Sequence, residues 1–103
     1  MSSRIVVLPH GLARVAWPSK SPAELLDYGV DWQLRFARGE AIAASSFELP
    51  AGVVATRSTF GGSLTQLLIA GGVNGELYRV LNRITTTGGR TLEQVIHLGV
   101  MSK

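Results

Sequence analysis

Hydrophobic and polar residues alternate with a two-residue period along most of the chain. From Tyr28 to Phe36, Tyr28, Val30, Trp32, Leu34 and Phe36 fall on one side, with Gly29, Asp31, Gln33 and Arg35 on the other. From Tyr78 onward, Tyr78, Val80, Asn82, Ile84 and Thr86 share one face, while Arg79, Arg83 and Thr85 share the opposite one. Successive side chains of a strand point to opposite faces, so each run predicts a half-buried β-strand. Further strands are predicted over Ala13 to Trp17, stopped by Pro18, and over Ile42 to Leu49, Val53 to Phe60, Leu64 to Ala70 and Thr91 to Val100. Pro50-Ala51-Gly52, Gly61-Gly62-Ser63, Gly71 to Gly75 and Gly88-Gly89 supply the turns between them. Ile42 and Phe47 have opposite parity, so both reach one core only through a bulge near Ala44-Ser45-Ser46. Ser21-Pro22-Ala23-Glu24 has the chemistry of a helix start but opens at most a single turn before the period changes.

Seven short strands with frequent turn signals and almost no helical periodicity predict an all-β fold. An immunoglobulin-like antiparallel β-sandwich over residues 13–103 fits best, and a small barrel is the alternative. Tyr78, just inside the start of the penultimate strand, suits a tyrosine whose hydroxyl bonds back to the corner before it. The inward parity of the strongest strands assigns Trp32, Phe47, Leu67, Ile69, Tyr78, Val80, Ile84, Ile96 and Leu98 to the core. The opposite parity leaves Leu68, Leu77, Leu81 and Val95 outward, and apolar groups in such number on outer faces mark a partner surface. Residues 1–12 form an N-terminal arm or an edge strand. Their β-prone run Ile5, Val6, Val7 and Leu8, set off by Pro9 and Gly11, is a second candidate interface.

A chain of 103 residues with 46% hydrophobic content builds one domain around one core. With no cysteine, neither disulfides nor thiolate metal sites contribute, and synthesis in a cytoplasm is expected. No apolar run approaches the roughly eighteen residues needed to span a membrane. The net charge of +3 invites a nucleic-acid partner, but the basic residues are scattered among carboxylates, and only Arg79 and Arg83 share a strand face. His10 and His97 are isolated from other metal ligands, and no serine sits in a nucleophile elbow. Gly71 to Gly75 precedes a strand and lacks the lysine of a phosphate loop. Asp27 and Asp31 make a weak carboxylate pair. No catalytic residue, metal, cofactor or small-molecule substrate is expected.

The string Leu26-Asp27-Tyr28-Gly29-Val30-Asp31-Trp32, followed by Gly39 to Ser45, Leu49-Pro50-Ala51-Gly52-Val53, Gly71-Gly72 and the strand and turn from Tyr78 to Arg90, resembles the fibre-tail adaptor proteins of tailed bacteriophages. The resemblance spans about Ser19 to Val100. It implies a non-enzymatic virion protein, assembled in the host cytoplasm, that joins tail or neck components by packing against other virion proteins and copies of itself. Where relatives carry polar residues on the outer faces of the last strands, this chain has Leu81 and Leu92, which adds Leu92 to the candidate interface. A capsid decoration protein remains open. So does a sandwich that binds carbohydrate or another surface ligand through Trp17, Trp32 and loop arginines.

Overall fold

The alternating runs become eight strands in the computed structural model, which describes residues 4–11 and 14–103. They are β1 (Ile5–Val7), β2 (Val15–Ala16), β3 (Leu26–Asp31), β4 (Ile42–Glu48), β5 (Val53–Gly61), β6 (Leu64–Gly71), β7 (Leu77–Thr86) and β8 (Thr91–Gly99). One sheet has the order β1-β3-β6-β5 and the other β2-β8-β7-β4. The two sheets pack as an all-β sandwich, in the strand order of an immunoglobulin-like fold. The expectation of antiparallel pairing throughout is corrected at the edges. β1 runs parallel to β3 and β2 parallel to β8, whereas the remaining pairs are antiparallel. Edge strands of three and two residues supply these parallel pairs, the chain changing sheet between them. Met1 to Ser3 of the expected arm, and the Leu12 and Ala13 positions, lie outside the described residues.

Two strands depart from simple alternation. β3 ends at Asp31, because the Asp31 carboxylate accepts the Gln33 N–H at 2.9 Å and starts a single 3₁₀ turn, Gln33–Arg35. Leu34 is therefore turned to solvent, though Trp32 stays fully buried. In β4 the register slips between Ile42 and Ala44, one residue ahead of the expected bulge, and pairs Ile42 with Thr86 and Phe47 with Asn82 on the inner face.

The core contains Trp32, Leu67, Ile69, Tyr78, Val80, Ile84, Ile96 and Leu98, joined by Tyr28, Val30 and Trp17. Each large side chain fully buried there stabilises the fold by roughly 1.5–3 kcal/mol. Phe47 is only half-buried against this cluster. Val6, Leu8 and Leu92, expected outside, face it instead. Leu8 is wholly buried, because it keeps the inner parity of Val6 and its N–H still bonds the Asp31 carbonyl at 3.0 Å. Leu92 pairs with Ile84 and shares the parity of Ile96, so it packs on the inner face.

Two polar features fix the sheets relative to each other. Asn82, fully buried on β7, accepts hydrogen bonds from Trp32 Nε1 at 2.9 Å and Thr65 Oγ1 at 2.8 Å, and donates to the Ser46 carbonyl at 2.9 Å. The Tyr78 hydroxyl accepts the Val73 N–H at 2.9 Å, closing the corner before β7. Gly52, at φ 107°, lies against that hydroxyl; a Cβ there would meet the oxygen at 3.0 Å, so this turn needs glycine on both counts.

Candidate functional site

The outer face of β2-β8-β7-β4 is built by the even spacing of β7. Leu77 stands opposite Gly99, Arg79 opposite His97, Leu81 opposite Val95 and Arg83 opposite Glu93. Across the other edge of β7, Leu81 faces Glu48 and Arg83 faces Ser46. The result is an apolar centre, Leu81 and Val95, between a cationic row and an ion-pair row. Leu77 is 56% exposed at one end, while Leu81 and Val95 are half-buried by their neighbours. Arg83 is neutralised by Glu93 at 2.5 Å and Glu48 at 3.2 Å. The Arg79 side chain has no ion pair or hydrogen bond among the described residues. The two arginines that share a face in the sequence thus differ: only Arg79 offers an unmatched charge. His97 shares this face, with Nδ1 3.2 Å from the Val15 carbonyl.

The opposite outer face carries Leu68 beside Asp27 and Arg57, with Ile5 and Val7 along its β1 edge. Val6 turns toward the core and is half-buried. The nine positions considered for an interface therefore divide. Leu77, Leu81 and Val95 share one outer face, with the Arg79–His97 row between Leu77 and the other two; Ile5, Val7 and Leu68 lie on the other sheet, and Val6, Leu8 and Leu92 point inward.

Polar clamps tie distant segments together at the two ends of the sandwich. At one end Glu40, whose side chain is 4% exposed, binds Arg90 through both oxygens and accepts from Thr86 Oγ1 and the Ala37 N–H. Arg90 foremost, then Thr86 and the Ala37 amide, hold the Glu40 carboxyl down to about 2. Arg90 also donates to the Arg35 carbonyl, and Arg35 in turn to those of Pro9 and Gly11. At the other end Lys20 is wholly buried, its Nζ donating to the carbonyls of Ser21 at 2.8 Å and Gly71 at 2.5 Å. Burial lowers its pKa, against the opposing pull of Glu24. Glu24 accepts the Ser21 N–H at 2.7 Å and pairs with Lys103 at 3.0 Å, and the Ser21 amide first, then Lys103, hold it down to about 2. Neither clamp was legible as such in the sequence. A capping box did mark Ser21 and Glu24, but the partners of Glu40 and Lys20 come from distant segments.

The tryptophans proposed for ligand contact are internal. Trp32 is fully buried, and Trp17 is 4% exposed, donating from Nε1 to the Gly29 carbonyl at 2.8 Å. Asp27 is engaged by Arg4 at 3.0 Å, and Asp31 by the turn it caps. Among the described residues no three histidine, cysteine or acidic side chains converge as a metal site.

The family model for the podophage GP4 fiber-tail adaptor protein gp77 matches residues 20–99, which takes in six of the eight strands, β3 to β8. The chain belongs to this fibre-tail adaptor family. No curated protein matches it. An adaptor family is structural and implies a place in the virion among tail or fibre components. In this adaptor the matched span holds the whole apolar centre of the outer face, whereas β1 and β2 precede it.

Proposed function

We propose that the protein is a non-enzymatic adaptor that joins tail or neck components of the virion. It packs the outer face of β2-β8-β7-β4 against another virion chain and extends the contact along its edge strands. Copies of the adaptor meet one another within the same assembly. The observation that carries this is the apolar centre of Leu81 and Val95 beside the unmatched Arg79, on strands inside the family match. Half-buried apolar groups flanked by a free arginine suit a partner interface, where arginine and apolar anchors supply most of the affinity. The inward position of both tryptophans withdraws the aromatic contacts on which the carbohydrate-binding alternative rested.

The test is incorporation into particles of a Leu81→Glu, Val95→Glu double variant. The variant is expected to fold, since both changes lie on an outer face, yet to be missing from particles that carry the wild-type protein. Normal incorporation of the folded variant overturns this face as the joint. Density for the wild-type protein on the capsid surface, away from the tail and neck, makes it a decoration protein instead.

A further inference from the structure

β4 and β5 are neighbouring free edges on one side of the sandwich, and β1 and β2 close the other. Sheet edges are normally kept short, charged or covered, because their unpaired amides and carbonyls accept another strand. β1, β2 and β4 have three, two and seven residues, but β5 has nine. A register slip between Ala55 and Arg57 divides β5 and leaves Arg57–Gly61 in unbroken pairing with β6. Every residue of that stretch is exposed.

Both faces of this edge are uncovered. Phe60 pairs with Thr65, whose hydroxyl reaches Asn82 in the core, so Phe60 has inward parity; it is nonetheless 47% exposed. On the outer face Arg57 lines a groove of about 190 Å³ with Asp27, Thr59, Gln66 and Leu68. Asp27 is already bound to Arg4, and the Arg57 side chain has no ion pair or hydrogen bond among the described residues.

We infer that Arg57–Gly61 receives an extended strand from another virion protein, with an apolar residue beside Phe60 on one face and a carboxylate beside Arg57 on the other. The inference rests on the adaptor role proposed above. Backbone bonds along the ladder supply the affinity, and the two side-chain positions supply the selectivity. A second copy of this chain offers, among its described strands, no carboxylate without a partner. Of its seven carboxylates, Glu24, Asp27, Glu40, Glu48 and Glu93 are in ion pairs, Asp31 caps the 3₁₀ turn, and Glu76 precedes β7.

The experiment compares amide hydrogen exchange of the protein in intact particles with that of the isolated protein. Added pairing is expected to slow the amides of residues 57–61 by about tenfold or more in particles. Arg57→Glu is expected to reduce incorporation about tenfold with an unchanged melting temperature, and Arg57→Lys to retain most of it. Particles that contain the protein with β5 exchanging as in isolation overturn the edge assignment alone. Slowing that develops in the isolated protein as its concentration rises overturns the choice of a foreign strand. Absence of the protein from particles overturns the adaptor role and this inference together.

Discussion

Asn82 places an amide at the centre of an apolar core, and its value lies in the groups it satisfies. Asn82→Leu keeps the volume but strands the Trp32 Nε1–H, which costs about 1–3 kcal/mol when buried without a partner, and leaves the Thr65 hydroxyl only the Val30 carbonyl at 3.5 Å. A loss of about 3 kcal/mol or more is expected by urea denaturation. Tyr78→Phe removes only the acceptor for the Val73 N–H, so a smaller loss of about 0.5–1.5 kcal/mol is expected, with assembly intact. At this scale the sequence was half legible. Alternation puts Asn82 on the inner face of β7, but its side-chain partners lie 17 to 50 residues away, and no local pattern encodes those meetings.

β1 shows why edge elements were harder to read than central ones. Its outer residue Val7 is 55% exposed, whereas Leu8, the next residue, is wholly buried. Leu8→Ala is expected to cost about 2–5 kcal/mol by opening a cavity. Val7→Ala should stay within about 0.5 kcal/mol, as at ordinary surface sites. Melting curves of the two variants check the contrast. The strands from β4 onward lie close to their predicted spans because alternation and glycine turns are local signals. β3 was overextended because Leu34 and Phe36 continue its alternation past the point where Asp31 bonds the following amide and bends the chain. The parallel edges were invisible in the sequence, since a strand of two or three residues carries no period of its own. Leu92 was assigned outward from family resemblance, although its parity with Ile96 points inward.

For the molecule as a whole, Glu40 and Glu24 clamp opposite ends of β8 through Arg90 before it and Lys103 after it. Both carboxyls are held down to about 2, from an ordinary value of 4.5. A depressed folded-state value means stability that is present above the unfolded value and lost as protonation proceeds below it. The melting temperature is therefore expected to hold from about pH 7 to about pH 5, then fall steadily toward about pH 2. Glu40→Gln should flatten part of that fall in calorimetric scans. Glu24→Gln should matter less, because its Lys103 partner is 53% exposed and screened by solvent.

Lys20 and Lys103 are the only lysines of the chain, and the first is sealed among carbonyls. Acylating reagents applied to the folded protein will consequently find the Lys103 amine and miss Lys20. Labelling at Lys20 requires that end of the sandwich to come apart, so its rate of acylation clocks opening of the fold without any engineered probe.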